Sequence, residues 1–559
     1  MENYHRRDMS LPDRPCTPKR FTYIFWGAVV LLISTYALVS ALWARPMIWA
    51  DSAAGFRIWD SMQSGGPWNC YTEPDPENIA FDRNVFRTWW SPGQFLPAGL
   101  LSLTGLSLGA SINIVTLLGV ITGLAGCWKL FKTCGFSEPA IMISVAIIAL
   151  GWHTSVLFGM FNGGELALFA GFPWIAWAVM WLAVRPIWLF LAIPPLFLLG
   201  TFLKLSFPLV ALSLCAGLWL GCVLKPVLRA GRIWQLAIGL TVAFVAYYCV
   251  LWILFLSRGP SPGDPGQVAY TWPLVFGFSC TGPMMAIGAF DSLIARAVFF
   301  PGSALLSGWE QLGWILCALA GPAIVLYLIA YKSAPTSQYR GMLMGFVVSY
   351  IVLFTWLYLR GASVSTDDRH FRPAAIILIP GVVQVFLNTQ AAWLRRVLAG
   401  IALLAATYGL AGFINRAHYI VSLDNTGLRG FTQNNLSPAA TAILKKLGHF
   451  SSDPTNFIVY VTSPEIALEF PQARIIQTHA ESEPPERLRF RHYEGRVNNL
   501  LIVTSLGMKP AQTTAILLSF QSYDPSQWFF RESGGSGFYY QGDGLNSVLQ
   551  GQPITVSNP

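Results

Sequence analysis

The stretch MIWADSAAGFRIWD, residues 47–60, follows an apolar run, residues 22–43, that is long enough to cross a membrane. A membrane span needs about 17–25 predominantly apolar residues. Asp51 therefore stands where a transmembrane helix emerges into water. A carboxylate at such an interface can act as a base toward a hydroxyl group or bind a divalent cation. The simpler alternative is that Asp51 caps the segment that follows, by accepting its free amide hydrogens.

The composition places the chain among multi-pass membrane proteins. Of its 559 residues, 54% are hydrophobic and only 11% are charged, which is far from the balance of a soluble enzyme. A net charge of +9 would be compatible with nucleic acid, but the basic residues are scattered between apolar runs, without a dense basic patch. We therefore predict a lipid bilayer as partner and no nucleic acid.

Apolar runs predict about eleven transmembrane helices, at residues 22–43, 109–131, 138–156, 165–183, 186–203, 205–223, 233–256, 312–331, 341–359, 373–389 and 396–414. The segment SPGQFLPAGLLSLTG, residues 91–105, is short and carries two prolines, which favours an interfacial helix. The basic loops then fall on the amino-terminal side, which the positive-inside rule makes cytoplasmic. We therefore predict an inner-membrane protein with a cytoplasmic tail, residues 1–21, and an exported first loop, residues 45–108.

The chain becomes polar after the last apolar run, which predicts an exported domain at residues 415–559. NFIVYVTS, ARIIQTH and NNLLIVTSL have the composition of short buried strands, and SPAATAILKKLG has helical spacing after a serine. The predicted fold class is a polytopic α-helical membrane protein with a carboxyl-terminal exported α/β domain. Cys70 and Cys280 both fall in predicted exported loops, where a disulfide could join them.

Glu165, in GMFNGGELALF, is the second candidate acid, at the outer mouth of a predicted helix. Two glycines precede it and allow a close approach of backbones. Placing an acid at a membrane edge costs free energy, so its presence requires an explanation. One reason is function, and the other is stabilisation by the positive amino end of the helix.

Three basic residues on the predicted exported side run against the charge rule and require an anionic partner. Lys204 lies in TFLKLSFP, and Arg369 and Arg372 lie in STDDRHFRPAA. Phosphate suits them, because lysine supplies a point charge and arginine a bidentate fork. For the arginines, the alternative is a local salt bridge with Asp367 and Asp368.

Arg83 and Arg87 precede two tryptophans in FDRNVFRTWWSPGQFLP, residues 81–97. This mixture is typical of a segment that lies in the headgroup layer. A simple interfacial anchor is one interpretation, and a contact between these arginines and a lipid phosphate is the other.

Taken in order, these pieces resemble the GT-C superfamily of polyprenyl-phosphate-sugar-dependent membrane glycosyltransferases, which includes protein mannosyltransferases and the aminoarabinose transferase that modifies lipid A. FLKLSFP is similar to the Lys-Gly-Pro hairpin of these enzymes, and DDRHFRPAAIILIP to their Arg-Tyr-x-x-Pro edge. The resemblance covers residues 20–415. The chain departs from it at Ser52, where many relatives have Glu, at Glu165, where many have Asp, and at Phe371, where Tyr is frequent.

The resemblance implies an inverting glycosyltransferase that moves a sugar from a polyprenyl-phosphate donor to an acceptor hydroxyl at the outer membrane face. It implies Asp51 as catalytic base or as the carboxylate that orients the acceptor, and Glu165 as its helper. Alternatively, both would be ligands of a divalent cation, Mg²⁺ or Mn²⁺. The charge that grows on the donor phosphate would be neutralised by Lys204, Arg369, Arg372 and Arg87. The expected acceptor is a cell-envelope glycan or lipid rather than a protein.

Two alternatives stay open, namely a transporter or flippase of lipid-linked sugars and a non-catalytic envelope assembly protein. A transporter would place ionisable residues near the bilayer midplane, on interrupted helices. In this sequence the ionisable residues cluster at the predicted exported edge. That distribution favours an enzyme that works at the membrane interface.

Overall fold

The computed structural model describes residues 19–182, 186–225, 230–259, 266, 268–298, 309–447, 457–480, 483–554 and 556. The predicted cytoplasmic tail lies outside the described residues, apart from residues 19–21. As far as Leu423, the described elements are α1 Lys19–Leu42, β1 Met47–Ile48, α2 Ala50–Gln63, β2 Cys70–Asp75, β3 Asn78–Phe86, α3 Leu96–Ser102, α4 Leu108–Thr133, α5 Glu138–Leu150, α6 Trp152–Ser155, β4 Met160–Phe161, α7 Gly163–Leu182, α8 Pro186–Leu203, α9 Phe207–Val223, α10 Ala230–Leu254, α11 Trp272–Met285, α12 Phe290–Val298, α13 Trp309–Lys332, α14 Ser337–Leu359, α15 Arg372–Asn388 and α16 Ala392–Leu423.

The helices make the chain a multi-pass membrane protein. Eight of those that the structure describes are long and apolar enough to cross a bilayer, namely α1, α4, α7, α10, α13, α14, α15 with the turn before it, and α16. The other three predicted spans fall on α5, which forms a pair with the next helical segment bent by 55°, and on the shorter apolar helices α8 and α9. Each of the eleven apolar runs is thus helical, and eight have the length of a full span.

The segment 91–105 folds as a 3₁₀ turn, Pro92–Gln94, followed by α3. With seven residues, α3 is only about 10 Å long and cannot cross a membrane. The prediction that this segment does not span is therefore confirmed.

Three predictions need correction. Helices α11 and α12 occupy a region that was predicted to be an exported loop, because α11 has only 14 residues, too few to register as a span. Helix α16 continues to Leu423, beyond the predicted boundary at residue 414, because polar residues end the apolar run without ending the helix. Cys70 and Cys280 are both free, so the disulfide is not formed.

A two-stranded parallel pairing brings the first exported segment against the start of α7. Met47 of β1 pairs with Met160 of β4, and the next residues continue the register. The Gly163 amide then donates a hydrogen bond to Ser52 Oγ at 2.8 Å. These contacts hold the amino ends of α2 and α7 side by side.

The carboxyl-terminal region contains α17 Pro438–Leu447, β5 Phe457–Val461, α18 Pro464–Ala467, β6 Arg474–Gln477, α19 Pro485–Arg489, β7 Asn499–Val503, α20 Pro510–Ser519, β8 Trp528–Ser533, β9 Ser536–Gln541, α21 Asp543–Leu549 and β10 Gln552–Ile554. The strands form one sheet in the order β10-β8-β9-β7-β5-β6. Strands β6, β5 and β7 are mutually parallel, and the remaining pairs are antiparallel.

Helices cover both faces of this sheet. In β5, Val459 and its alternate neighbours pack against α17, α18 and α21, whereas Ile458 and Tyr460 pack against α19 and α20. A strand that is buried on both faces has a nearly continuous apolar sequence, which explains why NFIVYVTS could be recognised. The predicted α/β fold is confirmed.

The same region packs onto the loop that carries Asp51. Arg429 Nη1 lies 2.8 Å from Asp60 Oδ2 at the far end of α2. Arg474 Nη2 lies 2.8 Å from Asp82 Oδ1 on β3. The loop is therefore held between the membrane helices and the carboxyl-terminal sheet.

Candidate active site

Asp51 lies in the first turn of α2 and faces a cation rather than the amides of its own helix. The cap position is Trp49, and no side-chain cap hydrogen bond is made there. Asp51 Oδ2 lies 3.9 Å from Arg369 Nη1, and the Asp51 side chain is 44% exposed. The capping interpretation is thus not what the structure shows. The carboxylate is open to water on one side and faces a guanidinium on the other.

Glu165, in the first turn of α7, is buried and forms an ion pair with Lys204 at the end of α8. Its second carboxylate oxygen, Oε2, is buried without a hydrogen-bond partner. Asn162 Oδ1 accepts a 3.4 Å hydrogen bond from the Glu165 amide at the start of this helix. Glu165 therefore fixes the position of Lys204, and the basic residue predicted to bind phosphate has a carboxylate partner inside the protein.

The two glycines before Glu165 allow the close approach that the sequence suggested. A Cβ atom at Gly163 would lie only 2.0 Å from the Gln94 carbonyl oxygen, and one at Gly164 would lie 3.1 Å from Gln94 Cδ. The interfacial turn at Pro92–Gln94 is thereby packed directly onto the amino end of α7.

Arg369 connects the first exported loop to the segment before α15. Its Nε lies 3.0 Å from Asp367 Oδ2, and its amide donates to Asp367 Oδ1 at 3.0 Å. The guanidinium also lies over the Trp49 ring, 5.3 Å from the centroid. The local salt bridge with Asp367 therefore exists, and it leaves Arg369 within reach of Asp51.

Arg372 is the most deeply buried of the basic residues in the site. Its Nη2 donates to Thr154 Oγ1 at 3.1 Å, and the guanidinium lies 4.2 Å from the centroid of the Phe169 ring. Its Nη1 is buried without a hydrogen-bond partner. A buried guanidinium with an unused donor is costly unless an anion completes it.

Arg87 belongs to a different group of contacts. Its Nη2 lies 3.2 Å from Glu73 Oε2, and its guanidinium stacks over Tyr71 at 4.4 Å. Both contacts lie within the hairpin formed by β2 and β3. The structure thus groups Asp51, Arg369, Glu165 and Lys204 around the starts of α2 and α7, while the contacts of Arg87 lie elsewhere.

An acidic cluster lies beside Arg369. Carboxylate oxygens of Asp291, Asp367 and Asp368 lie within 4.8 Å of one another, and the Asp368 amide donates to Asp291 Oδ2 at 3.0 Å. His153 Nε2 lies 3.4 Å from Asp368 Oδ2. Burial, and then the Asp368 charge, raise the pKa of Asp291 well above its usual range.

The metal ligands expected from the sequence are not part of this cluster. Asp51 and Glu165, the predicted ligands, each face a basic side chain, an arrangement that competes with a cation. Sequence reasoning missed His153 because a single histidine near the end of the apolar run 138–156 carries no pattern. It missed Asp291 because α12 was taken for a loop.

A large apolar cavity lies among the membrane helices. It has a volume of about 480 Å³ and is lined by residues of α5, α11, α12, α13, α15 and α16. Two of its lining residues, Ile287 and Ile379, also line a smaller space beside Arg372 and His153. An apolar chain in the cavity could therefore place a polar head near the buried guanidinium.

Comparison with solved structures shows the fold of the chain. The chain shares its fold with the arabinofuranosyltransferase AftD from Mycobacteria, with a TM-score of 0.52 and 12% identity, over 94% of this chain and 40% of AftD. It thus spans well under half the length of AftD. ArnT from Cupriavidus metallidurans, solved with undecaprenyl phosphate, matches with a TM-score of 0.37 and 12% identity, over 95% of this chain and 99% of ArnT. No known family profile and no curated protein matches the sequence.

Proposed function

We propose that this protein is an inverting membrane glycosyltransferase that moves a sugar from a polyprenyl-phosphate donor to an acceptor hydroxyl at the outer face of the inner membrane. The observation that carries the proposal is the half-exposed Asp51 carboxylate, 3.9 Å from the Arg369 guanidinium. A base open to water and a cation at the membrane edge are the two groups that this transfer requires.

The basic residues would stabilise the leaving phosphate. As the bond between the anomeric carbon and the phosphate oxygen breaks, negative charge grows on the polyprenyl phosphate. Arg369 and Arg372 can each offer paired N–H donors to phosphate oxygens, and Arg372 Nη1 is an unused donor. Lys204, held by Glu165, adds a positive charge. Arg87, which contacts Glu73 and Tyr71, is not used in this proposal.

Asp51 would accept the proton of the acceptor hydroxyl. The hydroxyl oxygen attacks the anomeric carbon from the side opposite the phosphate, so the new bond has the inverted configuration. The partly exposed carboxylate admits an acceptor from water, while the donor head remains close to the membrane. A cell-envelope glycan or lipid is the proposed acceptor.

The donor tail would lie in the apolar cavity. Isoprenoid units are apolar, and the cavity wall is formed by aliphatic and aromatic residues of membrane helices. Ile287 and Ile379 connect the cavity to the space beside Arg372. The tail and the phosphate of one donor molecule can therefore be bound at the same time.

The test measures release of polyprenyl phosphate from a panel of radiolabelled polyprenyl-phosphate sugars by the detergent-purified full chain. The panel includes an arabinofuranosyl donor, since AftD is an arabinofuranosyltransferase, and membranes of the source cells supply the acceptor. Asp51→Asn is compared with Glu77→Gln, which changes an exposed acid of the same loop. We expect acceptor-dependent release that Asp51→Asn lowers by about 10²-fold or more and that Glu77→Gln leaves unchanged.

Two results would contradict this function. Equal release by the native chain and a folded Asp51→Asn variant would remove Asp51 as the base. Absence of release with every donor, together with donor movement across reconstituted vesicles, would favour the transporter, and absence of both activities would favour an assembly protein.

A further inference from the structure

A small polar pocket lies beside α16, separate from the apolar cavity. Its volume is about 300 Å³, at the lower end of the range of about 300–1,000 Å³ for ligand pockets. The lining residues are Trp152, Gly412, Asn415, Arg416 and Tyr419. None of these five lines the apolar cavity, and the proposed transfer does not use them.

The position of the pocket along α16 places it at the level of lipid headgroups. Gly412 lies about 20 residues beyond Ala392, the first residue of α16, and a helix rises about 1.5 Å per residue. The two residues are therefore about 30 Å apart, which is the thickness of the hydrocarbon core of a bilayer. Farther along α16, Ile420 shares a small apolar cluster with Met47 of β1. The pocket and Asp51 thus lie at the same edge of the membrane.

Close packing holds the walls of the pocket in place. A Cβ atom at Gly412 would overlap the Trp152 ring, and one at Gly159 would lie 2.5 Å from Arg416 Cγ. Trp152 also stacks on Tyr408, with ring centroids 4.8 Å apart and an interplanar angle of 11°. The indole and the aliphatic part of the arginine are therefore fixed without a ligand.

The lining residues have the chemistry that recognises a phosphate group at a membrane surface. Arg416 supplies a positive charge and five N–H donors, enough to bind a phosphate in addition to contacts within the protein. Asn415 adds an amide group, and Trp and Tyr rings such as those of Trp152 and Tyr419 concentrate at the boundary between lipid and water. None of the five described residues that line the pocket is acidic, so the pocket wall itself offers the guanidinium no competing carboxylate.

The pocket is accessible from the membrane side of α16. Asn415 is exposed, and Ala411, one turn nearer the middle of the helix, is exposed as well. The acyl chains of a lipid can therefore stay in the bilayer while its headgroup enters the pocket.

We propose that this pocket binds the phosphate headgroup of an anionic phospholipid. Basic pockets between transmembrane helices are suited to anionic headgroups. The bound lipid would join α16 to α6, because Trp152 belongs to α6. Thr154 of the same short helix accepts a hydrogen bond from Arg372, so the lipid would stabilise the segment behind the proposed donor site.

The test measures lipid binding to the full chain in a neutral detergent by native mass spectrometry, which resolves bound lipids one by one. Anionic phosphatidylglycerol is compared with zwitterionic phosphatidylcholine, and we expect the native chain to bind the first phosphatidylglycerol more tightly. Arg416→Gln should weaken this binding about fivefold or more. Asn415→Trp, which places an indole at the pocket mouth, should weaken it as well. The control is Arg45→Gln, a change of an exposed arginine between α1 and β1, and it should leave binding unchanged.

Several results would overturn the site. One is equal binding of phosphatidylglycerol by the native chain, Arg416→Gln and Asn415→Trp, and another is equal binding of the two lipids by the native chain. Displacement of phosphatidylglycerol by inorganic phosphate would show a site for a free anion, and displacement by a polyprenyl phosphate would assign the pocket to the donor. If Arg416→Gln fails to fold, Asn415→Trp decides the matter, because Asn415 is exposed. Binding is measured without turnover, so failure of the proposed transferase function would leave this result unaffected.

Discussion

Ser52 Oγ accepts a hydrogen bond from the Gly163 amide at 2.8 Å, and this bond ties the helix of Asp51 to the helix of Glu165. Two residues that are more than a hundred positions apart in the chain are thereby held at one place on the membrane edge. The parallel pairing of β1 with β4 continues the connection through the backbone. The geometry of the site thus depends on a small region where three backbone segments meet.

Gly163→Ala should disrupt that region. Its Cβ would lie 2.0 Å from the Gln94 carbonyl oxygen, so the interfacial turn or the start of α7 must move. We expect a loss of about 1–3 kcal/mol in unfolding free energy and a larger relative loss of transfer activity. Thermal unfolding in detergent and donor-cleavage rates measure the two effects.

Gly27→Ala is the matched control, because a Cβ at Gly27 in α1 meets no atom within 4 Å. Alanine in a helix interior is favoured over glycine by about 1 kcal/mol. Stability should therefore be unchanged or slightly higher. Similar behaviour of the two alanine variants would contradict the close packing at Gly163.

Removal of one partner of the ion pair between Glu165 and Lys204 should lower the unfolding free energy more than replacement of both partners by uncharged residues. Both side chains are largely buried, so removal of one partner leaves an uncompensated charge. We expect Glu165→Gln or Lys204→Met alone to lower stability by about 3–5 kcal/mol, and the double variant to lose much less. Unfolding of all four proteins forms a double-mutant cycle.

The same cycle separates structure from function at this pair. The double variant should remain inactive although it is stable, because Lys204 no longer meets the donor phosphate. Full activity in a stable double variant would show that the pair is only structural.

Arg369→Lys keeps the charge of the side chain but removes the planar fork. Lysine carries its donors on one nitrogen, so it cannot present a planar pair of donors to a phosphate while it pairs with Asp367. We expect the rate of donor cleavage to fall by about 10²-fold, with little change in stability. The control is Arg83→Lys in the β2–β3 hairpin, where the arginine is half exposed and pairs with Glu73. Loss of activity in both variants would mean that the defect lies in folding.

The sequence predicted the parts of the fold that depend on hydrophobicity. The eleven apolar runs are helical, and the three apolar segments of the carboxyl-terminal region are the strands β5, β6 and β7. Both patterns are local, because lipid and a packed sheet each require continuous apolar residues. Helix α11 escaped prediction because a short helix buried among other helices need not match the bilayer thickness.

The sequence indicated residues of the site only where a charged residue stood in a segment that was expected to lack that charge. Arg369 and Lys204 stood out as basic residues on the predicted exported side, and the structure brings each of them to an acid of the site. The pairing of Asp291 with Asp368 depends on tertiary contact between segments 77 residues apart. No local pattern encodes such a contact, so the acidic cluster could be found only in the structure.

Val383→Trp should interfere with the donor tail and leave the phosphate site intact. Val383 lines the apolar cavity, and an indole there takes space that isoprenoid units would occupy. Loss of contact for two methylene groups costs about 1.6 kcal/mol, so KM for a long-chain donor should rise about tenfold or more, while kcat changes little. A donor with a short prenyl chain that ends before the cavity should keep its KM. Leu403→Trp is the control, because Leu403 lies on α16 with 65% of its side chain exposed outside the cavity. An equal rise in KM for both donors in Val383→Trp would place the tail somewhere else.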